Sequence, residues 1–199
     1  LSFKPYPCCR YIHPFIDAAL AIVKENDILP EKIKGVIVFV GETAYQALCQ
    51  PLEVKRAPRN VVEAQFSIPY TVANAIVKRR VAIPDFKEEA IRERATLEIA
   101  HKVVPKLAPE LTTREISPAI VQIEINDGKV YSKRVDFALG DPRNPMNFED
   151  IMVKFRACAA EAIKPLSEEN VEELIKKVAR LEQLDDVAHV VRLLNHSSV

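Results

Sequence analysis

The chain has 199 residues, 48% of them hydrophobic and 28% charged, with 28 basic against 28 acidic side chains. This length and apolar content suit one folded domain, or one with a small appendage, and exclude a disordered segment. A formally neutral chain has no global field to draw in a nucleic-acid backbone, and no run of eighteen apolar residues is present to span a bilayer.

The basic clusters Lys55-Arg56 and Lys78-Arg79-Arg80 are short and read as solvated helix ends. No basic segment precedes an apolar run, so no signal peptide is visible. Cys8, Cys9, Cys49 and Cys158 are too sparse and irregular for a disulfide scaffold, and a reduced, cytoplasmic protein is the expectation. Residue 1 is Leu, which suggests a trimmed tag or a piece of a longer polypeptide.

In chain order, FIDAALAIVKEN after Pro14 puts Phe15, Ala18, Ala19 and Ile22 on one helical face, and the spacing predicts a helix ending near Asp27. KIKGVIVFVG reads as a strand over residues 36 to 40. Residues 42 to 60 suggest a short helix and a loop. VVEAQFSIPYTVANAIVKR, residues 61 to 79, predicts a helix broken near Ser67-Ile68 by Pro69. Residues 85 to 92 and 95 to 104 read as two further short helices. PAIVQIEINDGKVYSKRVDF alternates on either side of Asp127-Gly128, the pattern of a β-hairpin. In GDPRNPMNFEDIMVKF a rigid Gly/Pro loop leads to Asn147, an N-cap with Asp150 three positions on, and a helix to about Ala162. Ser167 opens another capped helix to about Leu181. Residues 187 to 194 suggest a last turn or two, and the terminal HSSV a frayed end. The sum is an α+β fold: helices packed on a small, mostly antiparallel sheet.

Four glycines leave no phosphate-cradling loop, and neither G-x-G-x-x-G nor G-x-x-x-x-G-K occurs. Adjacent Cys8 and Cys9 are poorly placed to share one metal ion, while Cys49 and Cys158 stand alone, so no metal site is expected. His13 stands at a helix mouth with Lys4 and Arg10 nearby. On residues alone it is either part of an anion site or a histidine that caps the helix. Tyr70, just after the break, either faces a pocket or is half-buried with its hydroxyl satisfied.

Three stretches together resemble the MmgE/PrpD family, whose best-known member is 2-methylcitrate dehydratase. FKPYPCCRYIHPFIDAAL resembles its K-x-x-P-x-x-x-x-x-H segment, EAQFSIPYTVANAI its Gln-Phe-Ser-x-x-Tyr stretch, and GDPRNPMNFEDIMVKF its Gly-Asp-Pro-x-x-Pro loop and Lys-Phe helix. The order agrees, and the resemblance runs over nearly all 199 residues. It implies that residues 1–199 are the smaller, C-terminal α+β (lid) domain, with residues 1–20 near the junction to a large N-terminal helical domain.

The resemblance further implies a lyase acting on a small polycarboxylate, with no metal or organic cofactor. Dehydration of 2-methylcitrate to 2-methyl-cis-aconitate is its first candidate reaction. The alternatives are decarboxylation of cis-aconitate, epimerisation of iminodisuccinate, or a subunit that completes the site of a helical partner. Carried over by motif, Lys4 would pair with a substrate carboxylate, His13 would bind one or relay a proton, and Tyr70 would donate a hydrogen bond or proton. Arg10 is not fixed by the motif, and the cysteines read as bystanders. The family's remaining acid–base groups come from the helical domain and have no counterpart here, so the isolated chain is expected to be inactive. A homodimer is expected by the same resemblance.

Overall fold

Ala119–Ile125 (β3) and Val130–Val135 (β4) form the hairpin that the alternation predicts, paired from Ala119↔Val135 to Glu124↔Val130. Gly128, at φ 88°, supplies the left-handed residue that the tight turn requires. The computed structural model describes residues 1–113 and 115–194, so the expected frayed end at 196–199 lies outside the described residues. Contacts divide the chain into two units, residues 1–146 and 147–199.

In the first unit the sheet order is β2-β1-β3-β4, with β1 at Ile33–Val40 and β2 at Val103–Leu107. β1 runs antiparallel to β3 and parallel to β2. Val36, Val38, Val103, Val121 and Ile123 are buried, so β1, β2 and β3 each supply apolar side chains to one buried face.

β2 is absent from the sequence-based expectation, which carries a helix through residue 104. The helix stops at Lys102 and the chain turns extended. Five residues interrupted by Pro105 give little periodic signal. Pro is tolerated there because β2 is an edge strand, where a missing N–H need not break a ladder bond. Residues 85–92 are two 3-10 turns, at Ile83–Phe86 and Ala90–Arg92, and not a helix.

His13–Glu25 (α1) buries Phe15, Ile16, Ala18, Ala19, Ile22 and Val23, and packs on β3 and β4. Glu42–Cys49 (α2), Leu52–Arg56 (α3), Val61–Gln65 (α4), Ile68–Lys78 (α5) and Arg94–Lys102 (α6) make the crossover from β1 to β2. The break expected near Pro69 falls at Phe66–Ser67. Ser67 Oγ accepts from Tyr70 N at 3.0 Å and starts α5 afresh. Pro69 then sits in the first turn, where its missing N–H would have had no helical partner. Lys55 secures the break from α3: its ammonium donates to Phe66 O at 2.8 Å, and its carbonyl accepts from the Ser67 hydroxyl.

In the second unit Phe148–Ala160 (α7) starts with the expected capping box, Asn147 N to Asp150 Oδ2 and Asp150 N to Asn147 Oδ1, both 2.9 Å. Ser167 caps Glu168–Val178 (α8), and Ala188–Leu193 (α9) follows. Ala159, Val171 and Ile175 form a small core. Among the described residues no helix is long and apolar enough to cross a membrane.

Candidate functional site

Residues 3–9 form an irregular segment that bends at 5–8 and leads through a 3-10 turn, Arg10–Ile12, into α1, and two distant segments hold it by its backbone. Phe3 N donates to Gly140 O at 2.9 Å. Gln65, the last residue of α4, grips from the other side. Its carbonyl accepts from Cys9 N at 3.0 Å, and its side-chain amide donates to Pro7 O at 2.9 Å. The helix break just after Gln65 fixes where that carbonyl and amide point. The Gly140 grip rests on a tight turn, with Gly140 at φ 87°, Gly140 N donating to Asn144 O at 2.8 Å, and Asn144 N donating to Asp141 O at 2.9 Å. The three stretches singled out in the sequence thus meet at residues 3–13.

Lys4 is exposed, and its ammonium makes no hydrogen bond or ion pair among the described residues. His13 is fully buried, and its ring lies 5.1 Å from that of Tyr6. Its Nδ1 is 3.0 Å from Arg10 Nη1 and its Nε2 is 3.4 Å from Cys8 O. A guanidinium only donates, so Nδ1 is the acceptor, and the ring proton belongs on Nε2, facing the carbonyl. Arg10 also donates from Nη1 to Leu139 O at 3.0 Å and from Nη2 to Ala138 O at 3.4 Å. Burial pulls its pKa down, and Asp17 and Asp141 push back.

Behind this pair, Tyr6 OH donates to Asp17 Oδ1 at 2.6 Å, and Asp17 Oδ2 accepts from Leu139 N at 2.7 Å. Burial raises the Asp17 carboxyl, against the two hydrogen bonds it accepts and the Arg10 charge. Burial first, then the Asp17 charge, pushes the Tyr6 hydroxyl far above its ordinary range, so Tyr6 stays a neutral donor. Residues 138–139 therefore read both charges of the site, through carbonyls on Arg10 and an amide on Asp17.

Tyr70 lies elsewhere. The break turns its ring into the core, where it is fully buried edge-on to Phe86 at 6.1 Å. Its hydroxyl donates to Asp85 O at 2.6 Å and approaches Ala90 O at 3.5 Å. Lys4 and His13 share the clamped segment, whereas the Tyr70 hydroxyl is spent on the 85–90 turns. Tyr70→Phe should cost about 1–2 kcal/mol by leaving the Asp85 carbonyl without this donor. Burial raises the Tyr70 hydroxyl from its ordinary 10.0 to about 12. The folded chain therefore keeps a proton that the unfolded chain releases. That stability is fully present below about pH 10 and lost as pH rises towards 12. Urea melts at pH 8 and 11 should accordingly show the gap between wild type and Tyr70→Phe narrowing at the higher pH.

Cys8, Cys9, Cys49 and Cys158 form no disulfide. All four are free thiols, and burial raises both Cys8 and Cys49 to about 12. Alkylation at neutral pH should take exposed Cys158 first and reach Cys8 and Cys49 only after unfolding, as peptide mass spectrometry with and without urea will reveal. Among the described residues no group of three His, Cys, Asp or Glu is arranged to hold a metal ion.

Sequence reasoning passed over Asp17, Tyr6 and Gln65 as individual residues. Asp17 did leave a signal, as an acid one turn after His13 inside an otherwise apolar helical stretch. Gln65 stood in the Gln-Phe-Ser-x-x-Tyr stretch but without a role, and Tyr6 gave no signal, because their partners lie 58 and 11 residues away.

The chain as a whole, an α+β fold, matches the profile of a known family. The family profile described as MmgE/PrpD C-terminal domain matches residues 6–181, and the chain belongs to that family. Among curated relatives, the chain is 29% identical over 204 residues to a cis-aconitate decarboxylase of Homo sapiens and 28% identical over 210 residues to one of Mus musculus. Both matches cover the whole chain and 40% of the relative, so the chain spans about 40% of the length of these proteins.

Proposed function

We propose that the chain forms the C-terminal part of a lyase that acts on a small polycarboxylate without a metal or organic cofactor. The observation that carries this reading is the exposed Lys4 ammonium, without a partner among the described residues, on a segment clamped by Gln65 and Gly140 in a domain of this family. A free cation on a fixed backbone suits a carboxylate that arrives from solution.

Two reactions fit. In dehydration, a C–H next to a carboxylate yields its proton to a base, the electron pair forms C=C, and the β-hydroxyl leaves as water after taking a proton. In decarboxylation of a cis-aconitate-like acid, the bond to a carboxylate breaks and CO2 leaves. Its electron pair forms a new C=C, and the old double bond takes up a proton. Each builds negative charge beside carboxylates, and Lys4 would stabilise it. His13 would assist as a neutral hydrogen-bond donor, and Tyr70 would support the site by fixing the start of α5. The sequence motifs first suggested dehydration of 2-methylcitrate, while the names of the two relatives favour decarboxylation.

In this reading the remaining acid–base groups come from an N-terminal helical domain of the same protein, which works as a homodimer. The test is an assay of the complete protein, this chain with its native upstream sequence, on cis-aconitate and on 2-methylcitrate. Release of CO2 from cis-aconitate supports decarboxylation. Growth of conjugated-alkene absorbance from 2-methylcitrate supports dehydration. Silence on both acids, from a folded protein, overturns the substrate class. An upstream coding region without a helical domain would turn the reading towards a subunit that completes another chain's site.

A further inference from the structure

Arg10 falls outside the family motif, yet it is the hub of the clamped segment. We infer that Arg10 is a positioning residue whose guanidinium fixes His13 as the neutral Nε2–H tautomer and ties its ring to the backbone at residues 138–139. This rests on the proposed role of His13 and deepens it.

The geometry leaves Arg10 little freedom. The two Nη1 hydrogens have two acceptors at 3.0 Å, His13 Nδ1 and Leu139 O, and Nη2 reaches Ala138 O at 3.4 Å. Nε is buried with no partner. Leaving a charged donor unmade in the interior is costly, and the fork bears that cost while its far end spans His13 and the turn together. A lysine, with one nitrogen, cannot hold this planar span. The other groups set around the pair are Tyr6, Cys8, Asp17 and Asp141. Asp17 and Asp141 favour the guanidinium charge, while Tyr6 and Cys8 are held protonated by burial.

The consequence concerns chemistry. With Nδ1 taken by Arg10, Nε2 is the nitrogen left to exchange partners, and its contact with Cys8 O is long, at 3.4 Å. His13 therefore meets a carboxylate oxygen as a donor through Nε2, and does not serve as a general base through Nδ1.

The test is two-bond 1H–15N correlation on the full, uniformly labelled chain at pH 7, with the His13 signals assigned by their loss in His13→Gln. The expected wild-type spectrum has a pyridine-like Nδ1 and a protonated Nε2. In Arg10→Met the ring should leave that single form, as a tautomer mixture or a charged ring, and Arg10→Lys should not restore it. A protonated Nδ1 in the wild type overturns the inference, as does an unchanged tautomer in a folded Arg10→Met. If Arg10→Met does not fold, the wild-type spectrum and Arg10→Lys decide. In the complete protein, Arg10→Met should lower kcat by about 10- to 100-fold through misplacement of His13. The two readings fail separately. Full turnover of His13→Gln would remove His13 from the reaction while leaving the tautomer result standing. A wrong tautomer alongside an inactive His13→Gln would remove only Arg10's role.

Discussion

In the complete protein, Lys4→Ala should lower kcat/KM by about 100-fold or more, the scale lost when one preorganised donor to developing negative charge is removed. Its melting temperature should hardly move. Lys4 is exposed and holds nothing within the fold, and exposed substitutions away from structural features usually stay within about 0.5 kcal/mol. The segment that carries it is anchored by main-chain bonds from Phe3 and Cys9 and by the Gln65 amide, none of which involves the lysine side chain. The two effects are therefore separable, and a drop in turnover without a drop in stability is the signature of a group that acts on substrate. Lys4→Arg should recover part of the loss, because it keeps the charge with a different shape. Turnover within threefold of wild type for Lys4→Ala would remove the lysine from the mechanism.

What was legible in the sequence was local. The Asp127-Gly128 turn, the Asn147 and Ser167 caps and the break before Pro69 are each set by a few adjacent residues, and each stands where the pattern puts it. β2 was not legible, because its stability comes from the ladder with β1, 67 residues away in register, and its own five residues carry a proline. The site divides along the same line. Lys4 and His13 could be named because they sit in one short motif. That Gln65 and Gly140 hold this motif depends on contacts across 56 and 137 residues, which no local pattern encodes. Tyr70 illustrates the converse. Its motif position could be found, but its direction could not, since a helix break permits a side chain to turn towards a cleft or into the core. Here the carbonyl of Asp85 supplies the polar partner that makes core burial tolerable.

The long contact from Gly140 to Phe3 leads to the last prediction. Gly140 lies at φ 87°, and a Cβ built on it would stand 2.3 Å from Phe3 O and 3.1 Å from Phe3 C. Both are backbone atoms, so no side-chain rotation relieves the overlap. Gly140→Ala must shift the turn or push residues 1–4 away. Either movement breaks the Phe3 N to Gly140 O bond and releases one anchor of Lys4. The left-handed backbone costs an alanine about 1–2 kcal/mol, the lost hydrogen bond about 1 kcal/mol, and the overlap adds to both. A loss near 3 kcal/mol would lower the melting temperature by roughly 6–12 °C for a chain of this size. Gly128 is the matched control. It has φ 88° but nothing within 4 Å of its Cβ position, so Gly128→Ala carries the backbone strain without the collision. Assayed in the complete protein well below both melting points, Gly140→Ala should lose turnover by about tenfold or more with Lys4 still present, since small misplacements of a catalytic group cost on that order. Gly128→Ala should stay near wild type. Equal turnover in the two variants would mean that the 138–141 turn does not position Lys4, and the clamp would then be a feature of stability alone.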